Sequence, residues 1–134
     1  MRRVLPVMVL LAALLAVAAA AQEEEDYSNW MKQVDHANGS LQKELKAKTG
    51  DAAADDANKM ADLFGQIQQF WQKRNADDAV KFAADNVAAF KQVGELASAG
   101  KFDEASAAAK SAQANCSGCH KAHRAASLHG WKIK

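Results

Sequence analysis

After Pro6 the chain contains no proline, and that absence constrains its fold more than any other feature. A proline inside a helix removes a hydrogen bond and clashes with the preceding turn, so a chain without it is open to helices of any length. Alanine is abundant, β-branched residues are few, and no stretch alternates apolar and polar residues with period two. The pattern predicts an all-helical fold.

Four helices are expected. The first, about Asp26 to Lys48, places Trp30, Val34, Ala37, Leu41 and Leu45 on a single apolar stripe, and Thr49-Gly50-Asp51 ends it. The second begins near Asp55 and Asp56, turns Ala57, Met60, Ala61, Phe64, Ile67, Phe70 and Trp71 inward, and closes at Lys73-Arg74-Asn75, where cations suit the helix dipole. A third starts near Asp77 and Asp78, buries Val80, Ala83, Val87, Phe90, Val93 and Ala97, and stops at Gly100. The fourth runs from about Phe102 to Ala126 with Phe102, Ala105, Ala109, Cys116 and His120 on one face. Short loops between four helices give an up-down-up-down bundle. Ala54-Asp-Asp-Ala-Asn-Lys-Met-Ala returns in altered form from Ala76, which reads as two similar helix starts, since a solenoid needs at least three such units.

Residues 1–21 have the layout of a secretory signal peptide: Arg2 and Arg3, an apolar run from Val4 to Val17, then Ala18 to Ala21. Cleavage after Ala21 is expected, with a retained anchor as the alternative, although the apolar run is shorter than the roughly 20 residues that span a bilayer comfortably. Residues 22–134 then form one domain, exported to the periplasm. Without Arg2 and Arg3 the chain holds 15 Lys and Arg against 16 Asp and Glu. No basic patch points to nucleic acid.

Two cysteines in an exported protein ordinarily suggest a disulfide. Here Cys116 and Cys119 are followed at once by His120, the Cys-Ser-Gly-Cys-His arrangement of covalent haem attachment. Each thiol can add to one haem vinyl group, and the next residue's imidazole then falls beneath the iron as an axial ligand. Two other readings use the same residues. A redox-active pair of the thioredoxin kind accompanies a βαβ unit, which this chain lacks; a zinc site would recruit His123 as a further ligand.

The segment Cys116-Ser-Gly-Cys-His-Lys-Ala-His-Arg124, late in a four-helix chain, resembles the cytochrome c-prime family. The specific motif covers those nine residues, while the architecture covers nearly all of residues 22–134. The resemblance implies one haem c inside the bundle, solvent on the proximal side of His120, a distal pocket lined by the first helix, and Arg124 as the arginine that follows the ligand histidine. It also implies a homodimer. If an apolar side chain blocks the sixth position, the iron is five-coordinate and binds nitric oxide or carbon monoxide; if a methionine ligates, the protein is a plain electron carrier.

Alignment places either Met31 or Lys32 at that distal position. Lys32 points away from the apolar stripe, so Met31 is the distal candidate, with ordinary core packing as its alternative role. Met60 reads as core. Arg124 either pairs with a haem propionate, stacks beside His120, or is a solvated cation at a helix end. His36 falls on the outer side of the first helix, His123 fits a haem edge or solvent equally, and His129 lies where fraying is expected. The alanines at 105, 107, 108, 109 and 112 serve helix propensity or leave room for a flat macrocycle.

The expected function is one-electron transfer by a periplasmic c-type cytochrome to an unknown redox partner, with a gas-binding haem protein as the alternative. An enzyme such as a peroxidase would need a polar distal group, and the first helix offers none. A colourless bundle with a disulfide is the remaining class.

Overall fold

The computed structural model describes residues 4–134; Arg2 and Arg3 of the expected leader lie outside the described residues. Four helices dominate: α1 (Val4–Ala47), α2 (Gly50–Lys73), α3 (Asp77–Ser98) and α4 (Phe102–His123). Consecutive helices pack on one another in the manner of a four-helix bundle, and the side where α1 meets α4 has the sparsest contact.

The three turns share one design. Each contains a residue with positive φ, namely Lys48 (57°), Asn75 (54°) and Gly100 (73°). In each, a backbone N–H reaches back five residues to a carbonyl of the finished helix: Thr49 to Glu44, Ala76 to Trp71 and Lys101 to Leu96. This left-handed closure satisfies carbonyls that a helix end would otherwise leave unpaired. No side chain caps the starts of α2, α3 or α4; carboxylates in the first turns, Asp51, Asp77 with Asp78, and Asp103 with Glu104, face the positive end of each helix dipole instead.

The core follows the sequence stripes. Ala37, Leu41 and Leu45 of α1 are buried with Met60, Phe64, Ile67, Phe70 and Trp71 of α2, and Phe64 stacks parallel on Phe90 of α3 with centroids 5.8 Å apart. In α4 the buried positions are Ala105, Ala109, Ala112 and Cys119.

Five expectations need correction. The first helix, expected from about Asp26, is continuous from Val4, since the alanine-rich residues 12–25 ahead of Asp26 contain no glycine or proline that would separate them from the apolar stripe. The second helix starts at Gly50, ahead of Asp55, because Gly50 sits against the other turn at that end: a Cβ there would lie 2.8 Å from the Ala97 carbonyl oxygen. In α3 Val80 and Val87 are only half-buried, and the inner positions beside Ala83 and Phe90 belong to Ala79 and Asn86. In α4 Phe102, Cys116 and His120 are half-buried edges of the inner face.

Finally, α4 ends at His123, short of Ala126. Arg124 turns extended, and β1 (Arg124–Ser127) pairs antiparallel with β2 (Gly130–Ile133), Ala126 opposite Trp131. Ile133 packs against the core, the Lys134 N–H donates to the His123 carbonyl, and Lys134 Nζ donates to the Lys121 carbonyl. These bonds take up carbonyls that further helical residues would have used. His129 therefore lies in a hairpin turn, beside Gly130 at φ 117°.

The first half of α1 extends beyond the bundle, with Val9, Leu14, Leu15 and Val17 exposed. Among the described residues no helix is long and apolar enough to cross a membrane.

Candidate functional site

The last two turns of α4 carry the motif. Cys116 and Cys119 stand three residues apart on one continuous helix, and both are free thiols. Cys119 is 9 % exposed, close to Tyr27 of α1 and Asp78 of α3, and burial together with the Asp78 charge pushes its thiol up to about 11. Cys116 is half-buried and turned toward α3, where Asn86 Nδ2 donates to its sulfur at 3.4 Å. Asn86 Oδ1 in turn accepts from Asn115 Nδ2 at 3.0 Å. Gly118, between the two cysteines, lies close against α3: a Cβ would fall 2.8 Å from the edge of the Phe82 ring.

His120 is half-buried, and desolvation, then the nearby Arg124 charge, holds its pKa below the usual imidazole range. The neutral ring is the metal-ligating form. Arg124 Nη1 lies 3.4 Å from His120 Nδ1, while its guanidinium carbon stands 3.9 Å over the Trp131 ring. Arginine can only donate, so in this contact Nδ1 accepts and the ring proton belongs on Nε2. Metal ligation through Nε2 requires the other tautomer, with Arg124 withdrawn from Nδ1.

His123 is held elsewhere. Its Nε2 is 2.9 and 3.0 Å from the two Asp78 oxygens, and its ring lies 4.7 Å from that of Trp71. Hydrogen bonding from His123 draws the Asp78 carboxyl below its usual range. That contribution to stability is present above the ordinary carboxylate pKa and disappears as pH falls through the lowered one. In this structure His123 pairs with Asp78, and among the described residues no group of three His, Cys, Asp or Glu side chains is placed to hold a metal.

Around the motif lies an aromatic cluster. Tyr27 stacks on Phe70 at 4.4 Å and meets Trp71 edge-on at 5.6 Å, while Arg74 covers Phe70 and reaches Glu23. Burial, first, and the Cys119 sulfur beside it raise Tyr27 to about 12. On the inner face of α1, Tyr27, Trp30, Met31 and Val34 remain half-buried, whereas Lys32 and His36 are exposed. Met60 is fully in the core. The alanine run contributes Ala107, Ala108 and Ala112 to an open depression of about 390 Å³ between α3 and α4, ending at Asn115.

In their chemistry these residues suit a covalently attached haem: two free thiols one turn apart and a half-buried imidazole next to them. Phe82 lies on Gly118 and Asn86 on Cys116, so the α3 side of the motif is filled by side chains.

The structure thus gathers Cys116, Cys119, His120 and Arg124 at one end of the bundle, with Met31 on the facing helix. Asn86 and Phe82 were missed. The available signal was Asn86 itself, an amide in register with Ala79, Ala83, Phe90, Val93 and Ala97. Compared with protein-family models, curated proteins and solved structures, the chain has no match.

Proposed function

We propose that the chain is a periplasmic c-type cytochrome that carries single electrons to and from a protein partner, with residues 1–21 removed on export. The observation that carries this reading is the pair of free thiols, Cys116 and Cys119, followed on one helix by the half-buried imidazole of His120. Cys116 and Cys119 would hold haem c by thioether bonds, His120 would be the proximal axial ligand, and Arg124 would flank that imidazole. When bound, the haem supplies an iron that cycles between ferrous and ferric states at a potential set by its axial ligands and burial.

Met31 is the distal candidate. It lies one turn along α1 from Tyr27, and Tyr27 is beside Cys119. The half-buried stretch Tyr27 to Val34 also supports a second reading, in which the sixth position stays open and takes nitric oxide or carbon monoxide. Neither version makes the chain an enzyme: with Tyr27 raised to about 12, this stretch presents no group that exchanges protons near neutral pH.

The test is the absorption spectrum of the ferrous protein, produced alongside a haem-attachment system, before and after carbon monoxide. A Soret band is expected. A low-spin spectrum indifferent to the gas identifies the six-coordinate carrier, a high-spin spectrum that shifts identifies the gas binder, and a colourless protein overturns both.

A further inference from the structure

Asn86 is 1 % exposed, and among the described residues it is the one polar side chain wholly inside the core. Burying an amide is costly unless both ends find partners. Here both do: Oδ1 accepts from Asn115 and Nδ2 donates to the Cys116 sulfur. Its stripe neighbours Ala83 and Phe90 show that packing alone asks only for an apolar residue at this place.

We propose that Asn86 is a positioning residue that selects Cys116 as the first of the two thiols to form a covalent bond. The Asn115 contact fixes which end of the amide faces the sulfur. The N–H then holds the Cys116 sulfur in one orientation and stabilises negative charge on it, which counters the effect of burial on that thiol. Among the described residues no side chain donates a hydrogen bond to the Cys119 sulfur, which lies near the Asp78 carboxylate, a charge that disfavours its thiolate.

The covalent step rests on the cytochrome reading. The Cys116 thiolate adds to the inner carbon of a vinyl group, and the proton it gave up is delivered to the terminal carbon. One S–H and one C=C π bond give way to a C–S and a C–H bond, without oxidant or reductant. The second thiol then meets its vinyl group within a single molecule, where proximity compensates for burial.

Reactivity can be read without haem. The reduced full-length chain is alkylated with iodoacetamide for limited times, and the extent at each cysteine is measured by peptide mass spectrometry. Cys116 should react ahead of Cys119. Asn86→Leu, similar in shape but without a donor, should lower the Cys116-to-Cys119 rate ratio by about tenfold, the factor expected for one hydrogen bond to an ionised group. Equal reactivity in the parent chain, or a variant in which both thiols change together, would overturn the proposal and leave Asn86 a packing residue.

Should the Leu variant fail to give a helical circular dichroism spectrum, Asn115→Ala carries the test. It removes the orienting amide from a half-buried position and should lower the ratio by a factor of about three; an unchanged ratio counts against the proposal. With haem attached, Asn86→Leu should increase the fraction of chains linked through Cys119 alone. If the parent protein stays colourless, the cytochrome reading falls while the alkylation ratio still decides the role of Asn86.

Discussion

The two ends of the bundle are built on opposite terms. Where the α1–α2 and α3–α4 turns meet, the chain uses small and aliphatic residues brought to near-zero exposure: Leu41 0 %, Ala53 0 %, Ala57 0 %, Ala97 1 % and Ala105 0 %. Gly50 presses against the Ala97 backbone there. The motif end instead collects aromatic rings, thiols, imidazoles and charges, and leaves Tyr27, Trp30, Met31 and Val34 half-buried. The proposed haem would belong at the motif end, because a region packed to crystal-like density has no room for a further group.

Substitutions along α1 sharpen the contrast most. Leu41→Ala should cost about 3 kcal/mol, the usual loss for a leucine in a closed core. Val34→Ala, two turns nearer the motif, should cost about 1 kcal/mol or less. Urea unfolding followed by circular dichroism measures both, and equal losses would erase the distinction.

The same change at two glycines gives the next largest effect. Gly50→Ala places its Cβ against a backbone oxygen that cannot swing aside and should cost about 2 kcal/mol. Gly118→Ala meets the far edge of the half-buried Phe82 ring, which can rotate. Helix propensity gained there, about 1 kcal/mol, should nearly cancel the crowding, so thermal unfolding should shift little.

A smaller effect tests how far the motif end is closed. Tyr27 is the only tyrosine, so its ionisation can be followed by ultraviolet absorption without assignment. In the folded chain it should titrate near 12, and in urea near its ordinary value. Because the folded pKa is the raised one, this contribution to stability is present below pH ~10 and is lost as pH rises toward the folded value. A folded titration near pH 10 would show the Tyr27 pocket open to water.

Much of this was legible beforehand because helices announce themselves locally. The stripe through Val34, Ala37, Leu41 and Leu45 located the part of α1 that packs in the bundle, though not its start at Val4, and Gly100 marked the end of α3. The hairpin was not legible. Arg124-Ala-Ala-Ser continues a helix as readily as it forms a strand, and what decides is the docking of Ile133 and the Lys134 N–H on the His123 carbonyl, contacts from outside the segment. The site divides in the same way. Cys116, Cys119, His120 and Arg124 stand together in sequence, so their proximity was legible there, whereas Phe82 and Asn86 reach them only when α3 is laid against α4.

The uneven seams have a consequence for assembly. Contacts across α1–α2, α2–α3 and α3–α4 each close a turn of a few residues, at little loss of chain entropy. The α1–α4 seam joins the two outermost helices, and it has the fewest contacts with which to offset the longest loop in the fold. It is therefore the last to zip and the first to breathe. Tyr27, beside Cys119, lies at that seam, so its pocket is the first part of the bundle to open to water.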